Sequence, residues 1–148
     1  MKAGGDNFGG LDDQVILVTG STTGIGEAMV RCFARAGATV VVHGTRAAAA
    51  ARIVAEIEAE GGRASGMTVS LLEADAPERI IDHVIGKWGR IDALVNNAAI
   101  SERASLETTD GEIFDRIMGI NLRAPLMLVQ AALPHFRSGG TGRVLNVG

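Results

Sequence analysis

The chain has 148 residues, of which 47% are hydrophobic and 21% charged, a length and mixture typical of one folded domain with a buried core. Its net charge is −3 and its twelve arginines are scattered, which argues against the concentrated basic patch that nucleic-acid binding usually needs. No apolar run approaches the ~18 residues of a membrane span and no signal-peptide pattern opens the sequence, so we expect a cytoplasmic protein with neither a membrane nor a nucleic-acid partner.

Short apolar runs alternate with segments of helical periodicity from residue 11 onward, after a glycine-rich stretch at 1–10 that predicts a flexible tail. In chain order the pattern predicts a strand at 14–19, a helix at 24–36, a strand at 39–43, a helix at 46–60, a strand at 64–69, a helix at 75–88, a strand at 92–97, a long helix at 109–136 and a strand at 143–147. Strict alternation of this kind is typical of an α/β protein with a parallel sheet and helices on both faces. A ligand is then expected at the carboxyl ends of the strands, where strand order reverses.

The cysteine and the histidines show no pattern of a reactive or metal-binding site. Cys32 shares a helical face with Ile25, Met29, Phe33 and Ala36, which predicts that this face packs against the core. His43, at the end of the second strand, has no mutual spacing with His83 or His135 that is typical of metal ligands. We therefore expect no metal site.

The first strand turns into the first helix through V-T-G-S-T-T-G-I-G-E at 18–27. Gly20, Gly24 and Gly26 suit a tight turn, backbone approach to a ligand and close helix–strand packing. Exposed N–H groups at the helix start then face a phosphate, which the helix dipole also attracts. Because a lone glycine motif is weak evidence, a plain glycine-rich turn stays open as the alternative to dinucleotide binding.

The end of the second strand indicates which dinucleotide is bound. In NAD-binding units an acidic residue ~20 positions beyond the loop holds the ribose 2′-hydroxyl, and that position is Gly44 here. Thr45 and Arg46 stand beside it, with Ser21 and Thr22 across the turn. Because a guanidinium supplies charge-assisted hydrogen bonds to a phosphate, we expect NADP(H) to be preferred over NAD(H). A solvated first-turn arginine is the alternative for Arg46.

Three motifs in order make the chain recognisable. T-G-x-x-x-G-x-G at 19–26, N-N-A-A at 96–99 and Asn121 in the long helix resemble the classical short-chain dehydrogenases/reductases. The resemblance covers the chain from residue 11 to its end. Within the family the chain is most similar to members of the 3-oxoacyl-carrier-protein-reductase type. It implies a Rossmann-type α/β fold, a doubly wound parallel sheet with five strands present and incomplete relative to the family. It also implies NADP(H)-dependent hydride transfer to or from a small-molecule carbonyl or alcohol.

The resemblance also implies cofactor contacts on four segments of the chain. Beside the motif glycines Gly24 and Gly26, the family's positions fall on Gly20, Ser21, Thr22, Thr23 and Ile25 for the diphosphate, Gly44, Thr45 and Arg46 for the 2′-phosphate, Thr68 and Val69 for the adenine, and Asn97, Ala98 and Ala99 for the ribose. The chain departs from the family at Thr68, which replaces the usual Asp, and at Ala99, which replaces the usual Gly. Thr23 stands where many NADP-preferring members carry a basic residue, which leaves Arg46 to act alone.

Asn121 has a physical argument of its own. Pro125 cannot donate a hydrogen bond to the carbonyl of Asn121 four residues earlier, so the helix should bend there and leave an acceptor free. The resemblance implies that this Asn holds a water in a proton relay, which makes Asn121 the one catalytic residue expected in the chain. A proline kink that only shapes packing is the alternative.

The family's other catalytic groups are expected beyond Gly148. In the family a Ser follows the segment matching G-R-V-L-N-V-G, and a Tyr-x-x-x-Lys follows about a helix later. The 148 residues contain no Tyr, and neither Lys2 nor Lys87 is placed for that role. We therefore expect residues 11–148 to be an NADP(H)-binding domain truncated before this machinery and inactive alone, from an enzyme that is a homo-oligomer (dimer or tetramer) at full length. A non-catalytic nucleotide-binding fragment or a degenerate remnant is the alternative.

Overall fold

A computed structural model of the chain describes residues 10–148, so the tail predicted at 1–10 lies, except for Gly10, outside the described residues. The strands are β1 (Val15–Val18), β2 (Thr39–Gly44), β3 (Arg63–Thr68), β4 (Ala93–Asn96) and β5 (Arg143–Asn146). Within the described residues they form one parallel sheet in the order β3-β2-β1-β4-β5. The predicted α/β fold with a doubly wound parallel sheet is confirmed.

Helices alternate with these strands along the chain. They are α1 (Gly24–Arg35), α2 (Ala47–Ala59), α3 (Ala76–Trp88), α4 (Gly111–Met118) and α5 (Ala124–Ser138). Residues of α1 and α2 pack on one face of the sheet, and residues of α3 and α5 pack on the other. Alternate residues of β1 serve the two layers, since Ile16 and Val18 belong to the first core and Val15 and Leu17 to the second.

The long helix predicted at 109–136 is present but is not α-helical throughout. A π-helical turn at Gly119–Arg123 joins α4 to α5, and the Ala124 N–H donates to the Gly119 carbonyl, one residue further back than in an α-helix. The helix also begins after Asp110, whose Oδ1 accepts the Ile113 N–H at 2.8 Å. The sequence located the irregularity through Pro125 but not its form.

The face that α1 buries agrees only in part with the predicted one, since Met29 and Phe33 pack against the core but Ile25 and Cys32 do not. Gly26 and Val30 are its buried residues, whereas Ile25 is 68% exposed and Cys32 is exposed. A Cβ at Gly26 would lie 2.5 Å from the carbonyl oxygen of Gly20, so the helix crosses the preceding turn on its smallest residue. The expectation that Ile25 and Cys32 pack against the core is wrong because close backbone approach, rather than hydrophobicity, sets the rotation of α1.

A cluster of four charged residues joins α1 to α2. Arg31 pairs with Glu27 at 2.7 Å and with Glu56, and Arg52 pairs with the same two carboxylates at 3.2 and 3.0 Å. The hydrogen bond from Arg31 is the largest cause that holds the pKa of each glutamate below its usual value. This α1–α2 charge cluster fixes the two helices that follow β1 and β2.

The continuous helix Gly111–Ser138 is long and apolar enough to cross a membrane by length and composition, with a mean hydropathy of 1.2 over an 18-residue window. This corrects the expectation that no apolar segment reaches that length. Its inner face carries Leu128, Ala132 and Phe136, which are buried in the protein core, but only 17% of that window is buried. Its outer face exposes an apolar stripe formed by Phe114, Met118, Leu122 and Leu126.

Candidate functional site

The carboxyl ends of β1, β2 and β4 lie side by side where strand order reverses. Val18, the last residue of β1, pairs with Val42 in β2 and with Val95 in β4. The crossover after β1 leads to one side of the sheet and the crossover after β4 to the other, which opens a crevice between the two loops. The residues that sequence motifs single out converge on this crevice.

The turn after β1 requires glycine for two reasons. Gly20 and Gly24 have φ values of 62° and 57°, in the left-handed region that favours glycine. A Cβ at Gly26 would also meet Asn97 Nδ2 at 2.5 Å. Backbone conformation thus favours glycine at Gly20 and Gly24, and close packing requires it at Gly26.

The start of α1 is uncapped and faces a cleft. Its N-cap residue, Thr23, has extended backbone and makes no side-chain capping hydrogen bond. The first N–H groups of a helix have no partner inside the helix, and the helix dipole places partial positive charge there. Thr23, Gly24 and Ile25 all line the cleft, so this end of α1 presents donors and positive potential to whatever binds.

The cleft has a volume of about 460 Å³ and gathers residues from three loops. It is lined by Gly20, Thr22, Thr23, Gly24, Ile25, Gly26, Gly44, Thr45, Arg46, Asn97, Ala98 and Ala99. Each of these twelve belongs to the fifteen residues that the sequence assigns to cofactor binding. The turn after β1, the end of β2 and the loop after β4 thus form one concave surface.

The other three predicted cofactor residues do not line this cleft. Ser21 is buried, and its Oγ donates to the Val18 carbonyl at 2.7 Å and accepts the His43 N–H at 3.0 Å, so its hydroxyl faces the protein. Thr68 is exposed at the end of β3, opposite Gly44. Val69 is buried in the core, and its N–H donates to the Gly44 carbonyl at 3.2 Å. The last two border the far side of β2.

Arg46 is an exposed cation at the mouth of the cleft. It directly precedes α2, whose first turn carries no acidic residue. No carboxylate within residues 10–148 forms an ion pair with it. A Cβ at Gly44 would lie 2.6 Å from Thr22 Cγ2, so the glycine lets the two loops close on each other beside this guanidinium.

Thr19 and Asn97 tie the loop after β4 to the turn after β1. Thr19 Oγ1 accepts the N–H groups of Asn97 and Ala98 at 3.1 and 3.0 Å. Asn97 Nδ2 donates to the carbonyls of Thr19 and Gly20 at 2.9 and 3.1 Å. The side chain of Asn97 therefore shapes the cleft from behind. Sequence reasoning placed Thr19 in the motif but gave it no role.

His43 is a residue that sequence reasoning left without a role. It is 2% exposed, and its ring lies between the turn after β1 and the end of β3. The Gly20 N–H donates to Nδ1 at 3.4 Å, and Nε2 lies 3.1 Å from the Val69 carbonyl. Burial lowers the pKa of His43 to about 4, so the ring is neutral at pH 7. A single histidine at a strand end gives no sequence pattern that would have identified it.

Asn121 lies apart from the cleft, beside a second cavity of about 700 Å³. Its Oδ1 accepts the Ile100 N–H at 2.9 Å, and its Nδ2 donates to the Ile100 carbonyl at 2.8 Å. Both ends of the amide are thus committed to the loop that follows β4. Pro125 lines the same cavity, and the π-helical turn passes through Asn121 itself.

Asn96, at the end of β4, lines this second cavity and has a buried amide oxygen without a partner among the described residues. It is 5% exposed, and its Nδ2 donates to Asn146 Oδ1 at 2.9 Å across the β4–β5 pair. Its own Oδ1 has no hydrogen-bond partner within the part of the chain that the structure describes. A buried amide oxygen without a partner costs free energy, so this atom favours an incoming donor.

Comparison with known proteins gives a consistent result. The family model described as short chain dehydrogenase matches residues 14–148. The chain is 39% identical over 138 residues to the short-chain dehydrogenase/reductase FrzI of Cladobotryum sp, covering 93% of this chain and 53% of that protein. It is 31% identical to the 3-oxoacyl-[acyl-carrier-protein] reductase FabG of Thermotoga maritima, covering 93% of this chain and 56% of that protein.

A solved structure shows the same fold. A metagenomic short-chain oxidoreductase in complex with NADP is 33% identical and superposes with a TM-score of 0.88, over 92% of this chain and 62% of that one. The chain spans about half the length of the curated relatives it matches.

Proposed function

We propose a function from the premise that the chain belongs to the short-chain dehydrogenase family, as the match over residues 14–148 shows. In this proposal residues 11–148 are the NADP(H)-binding part of an oxidoreductase. The whole protein transfers a hydride between nicotinamide and a small-molecule carbonyl or alcohol. The single observation that carries the proposal is the convergence of twelve predicted cofactor residues on one cleft. The uncapped start of α1 and the guanidinium of Arg46, just before α2, both border this cleft.

The glycine turn fits a diphosphate. Gly20 and Gly24 hold a backbone conformation in which no side chain obstructs the cleft, and a Cβ at Gly24 would meet nothing within 4 Å on the protein side. A dinucleotide diphosphate can then approach the N–H groups at the start of α1 and gain from the helix dipole. Thr22 and Thr23 line the same wall and supply hydroxyl groups.

The end of β2 fits an adenosine 2′-phosphate better than a bare 2′-hydroxyl. Gly44 stands where a carboxylate would hold the ribose of NAD, and Thr45 and Arg46 follow it. An arginine at the start of a helix is unfavourable alone because the helix dipole repels it. A bound phosphate would reverse that cost by pairing with the guanidinium. We infer a preference for NADP(H) over NAD(H).

The redox chemistry belongs to the cofactor, since bound NADP(H) supplies or accepts the hydride. The chain's own residues bind and orient it, with Asn97, Ala98 and Ala99 beside the ribose and Thr68 and Val69 near the adenine. In the proposal Asn121 holds the loop at Ile100 next to the cavity where a substrate would lie, and its backbone serves a proton relay. The side-chain bonds of Asn121 to Ile100 support the positioning part of this role.

The proton donor of the reaction is not among the 148 residues, which contain no tyrosine. We therefore expect a chain of these residues to bind NADPH and to reduce no carbonyl compound. The second candidate function is a nucleotide-binding module without catalysis. Both candidates predict cofactor binding, and turnover by the whole protein distinguishes them.

The proposal also covers partners and location. We propose a cytoplasmic protein whose full-length form is a dimer or tetramer, with no nucleic-acid or membrane partner. The exposed apolar stripe on the helix Gly111–Ser138 supports association between copies, because an apolar surface of that length is usually covered in an assembly.

A titration tests the cofactor proposal. NADPH and NADH are added to the chain and to Arg46→Ala, with Arg137→Ala at the far end of α5 as the matched control. We expect tighter binding of NADPH, a loss of about tenfold for NADPH in Arg46→Ala, and little change for NADH. Arg137→Ala should bind like the unmodified chain. Equal affinity for the two cofactors, with no effect of Arg46→Ala, would contradict the 2′-phosphate assignment.

A further inference from the structure

We propose that His43 is a positioning residue for the diphosphate turn, which it holds against the end of β3 as a neutral ring protonated at Nε2. The inference rests on the proposed function in that it names the turn as the diphosphate site. It assigns a role to a side chain that does not line the cleft and that touches the cofactor-binding residues only from behind.

The ring of His43 bridges two parts of the chain that are otherwise far apart in sequence. Its Nδ1 accepts the N–H of Gly20, the first glycine of the turn, at 3.4 Å. Its Nε2 lies 3.1 Å from the carbonyl of Val69, just beyond β3. The hydrogen bond to Gly20 is long, so it is easily lost and its effect depends on ring orientation.

The two partners together fix the tautomer. A carbonyl oxygen can only accept, so Nε2 must carry the proton that is donated to Val69. A backbone N–H can only donate, so Nδ1 must be unprotonated toward Gly20. Only the neutral Nε2–H form satisfies both contacts, and burial keeps the ring neutral near pH 7. The other neutral tautomer and the imidazolium would each place a donor against the Gly20 N–H.

The backbone of His43 reinforces the same link. The Ser21 N–H donates to the His43 carbonyl at 2.8 Å, and the His43 N–H donates to Ser21 Oγ at 3.0 Å. Ring and backbone therefore hold two consecutive residues of the turn, Gly20 and Ser21. His43 also directly precedes Gly44, so the same residue sets how the chain leaves β2 toward Arg46.

A residue that only filled space would give a different result from one that positions the turn. An apolar side chain of similar size, as in His43→Leu, fills the site but removes both ring contacts. His43→Asn keeps an acceptor near the Nδ1 position and so preserves a partner for the Gly20 N–H. The two variants therefore separate packing from positioning.

The test compares two ligands of known structure on the same proteins. NADPH contains the diphosphate, whereas adenosine 2′-monophosphate has the adenosine and the 2′-phosphate that Arg46 would bind but no diphosphate. We expect His43→Leu to bind NADPH about five- to tenfold more weakly and adenosine 2′-monophosphate unchanged, with His43→Asn within about twofold of the original for both. Arg46→Ala should weaken both ligands, and His83→Asn, a histidine on α3, should change neither.

A ligand-free measurement keeps the inference testable on its own. Nitrogen-15 NMR of the histidine rings should show His43 neutral with Nε2 protonated, and the Gly20 amide should exchange faster in His43→Leu by more than the change in global stability. If NADPH does not bind the original chain, the proposed function is wrong. The NMR measurement still tests whether the His43 ring holds the Gly20 turn. An Nδ1-protonated ring, equal NADPH affinity in His43→Leu, or equal weakening of both ligands would overturn it.

Discussion

Lowering the pH from 7 to 5 is expected to destabilise the folded chain through His43. Burial lowers the pKa of this ring from 6.5 to about 4, because the imidazolium is poorly solvated between the turn after β1 and the end of β3. Between those values the unfolded chain binds a proton that the folded chain does not. The contribution of His43 to the free energy of unfolding is therefore fully present above about pH 6.5 and is lost as the pH falls toward 4.

The magnitude follows from the two pKa values. The difference between 6.5 and about 4 is worth ~3 kcal/mol in total, of which ~2 kcal/mol is lost by pH 5. Glu27 and Glu56 also have lowered pKa values, but their contributions are lost only below their ordinary value of 4.5. The pKa of His83 is lowered by burial and by Lys87, so this residue adds a loss of the same sign as the pH falls below 6.5.

Urea unfolding at pH 7, 6 and 5 measures this dependence. We expect the free energy of unfolding of the unmodified chain to fall by ~2 kcal/mol or more between pH 7 and 5. His43→Asn should be less stable at pH 7 and should lose ~2 kcal/mol less over that interval, whereas His83→Asn should keep most of the dependence. If His43→Asn shows the same pH dependence as the unmodified chain, the reasoning from burial of this ring is wrong.

Three further changes test other parts of the structure. Gly44→Ala places a Cβ 2.6 Å from Thr22 Cγ2, and NADPH affinity measured by titration should fall about tenfold as the two loops move apart. Arg31→Leu removes the centre of the α1–α2 charge cluster, so its thermal midpoint should be lower and less sensitive to salt between about 0.05 and about 0.5 M. Asn121→Ala loses both hydrogen bonds to Ile100 and should cost ~1–2 kcal/mol in urea unfolding.

Matched changes control for each of these. Gly61→Ala alters a positive-φ glycine far from the cleft and should leave NADPH affinity unchanged. Arg137→Leu, at an exposed position, should keep the salt dependence of the unmodified chain, and Gln130→Ala on the outside of α5 should cost little stability. If Gly44→Ala binds NADPH at full affinity, the close approach of Gly44 to Thr22 does not shape the cleft. If Asn121→Ala is as stable as the unmodified chain, the two hydrogen bonds to Ile100 do not stabilise the fold.

Much of the fold was readable from local pattern. The bounds of all five strands were predicted within one residue. Strands buried on both faces, such as β1 and β2, give continuous apolar runs that helices interrupt. The long helix was located, but its π-helical turn was not predicted. Pro125 shows that one hydrogen bond of the helix is missing. Whether the helix kinks or forms a π-helical turn there depends on how α4 and α5 pack against the rest of the chain.

The candidate site divides in the same way. The glycine turn and Arg46 were found because each has a backbone or charge requirement that is visible in one stretch of sequence. The inward-facing hydroxyl of Ser21 and the bridging ring of His43 were not, because both depend on partners that are more than twenty residues away. Ile25 was placed on the wrong face because hydrophobicity does not reveal that Gly26 contacts the turn.

The central claim is that the cleft between the ends of β1, β2 and β4 binds NADP(H). Titrating nitrogen-15-labelled chain with NADP⁺ and following the backbone amides tests it most directly. We expect the largest shifts at Gly20–Gly26, Gly44–Arg46 and Asn97–Ala99, with saturation at the same concentrations. Unchanged amides in these three loops, or shifts confined to the opposite edge of the sheet around Ile85–Asp92, would contradict the account.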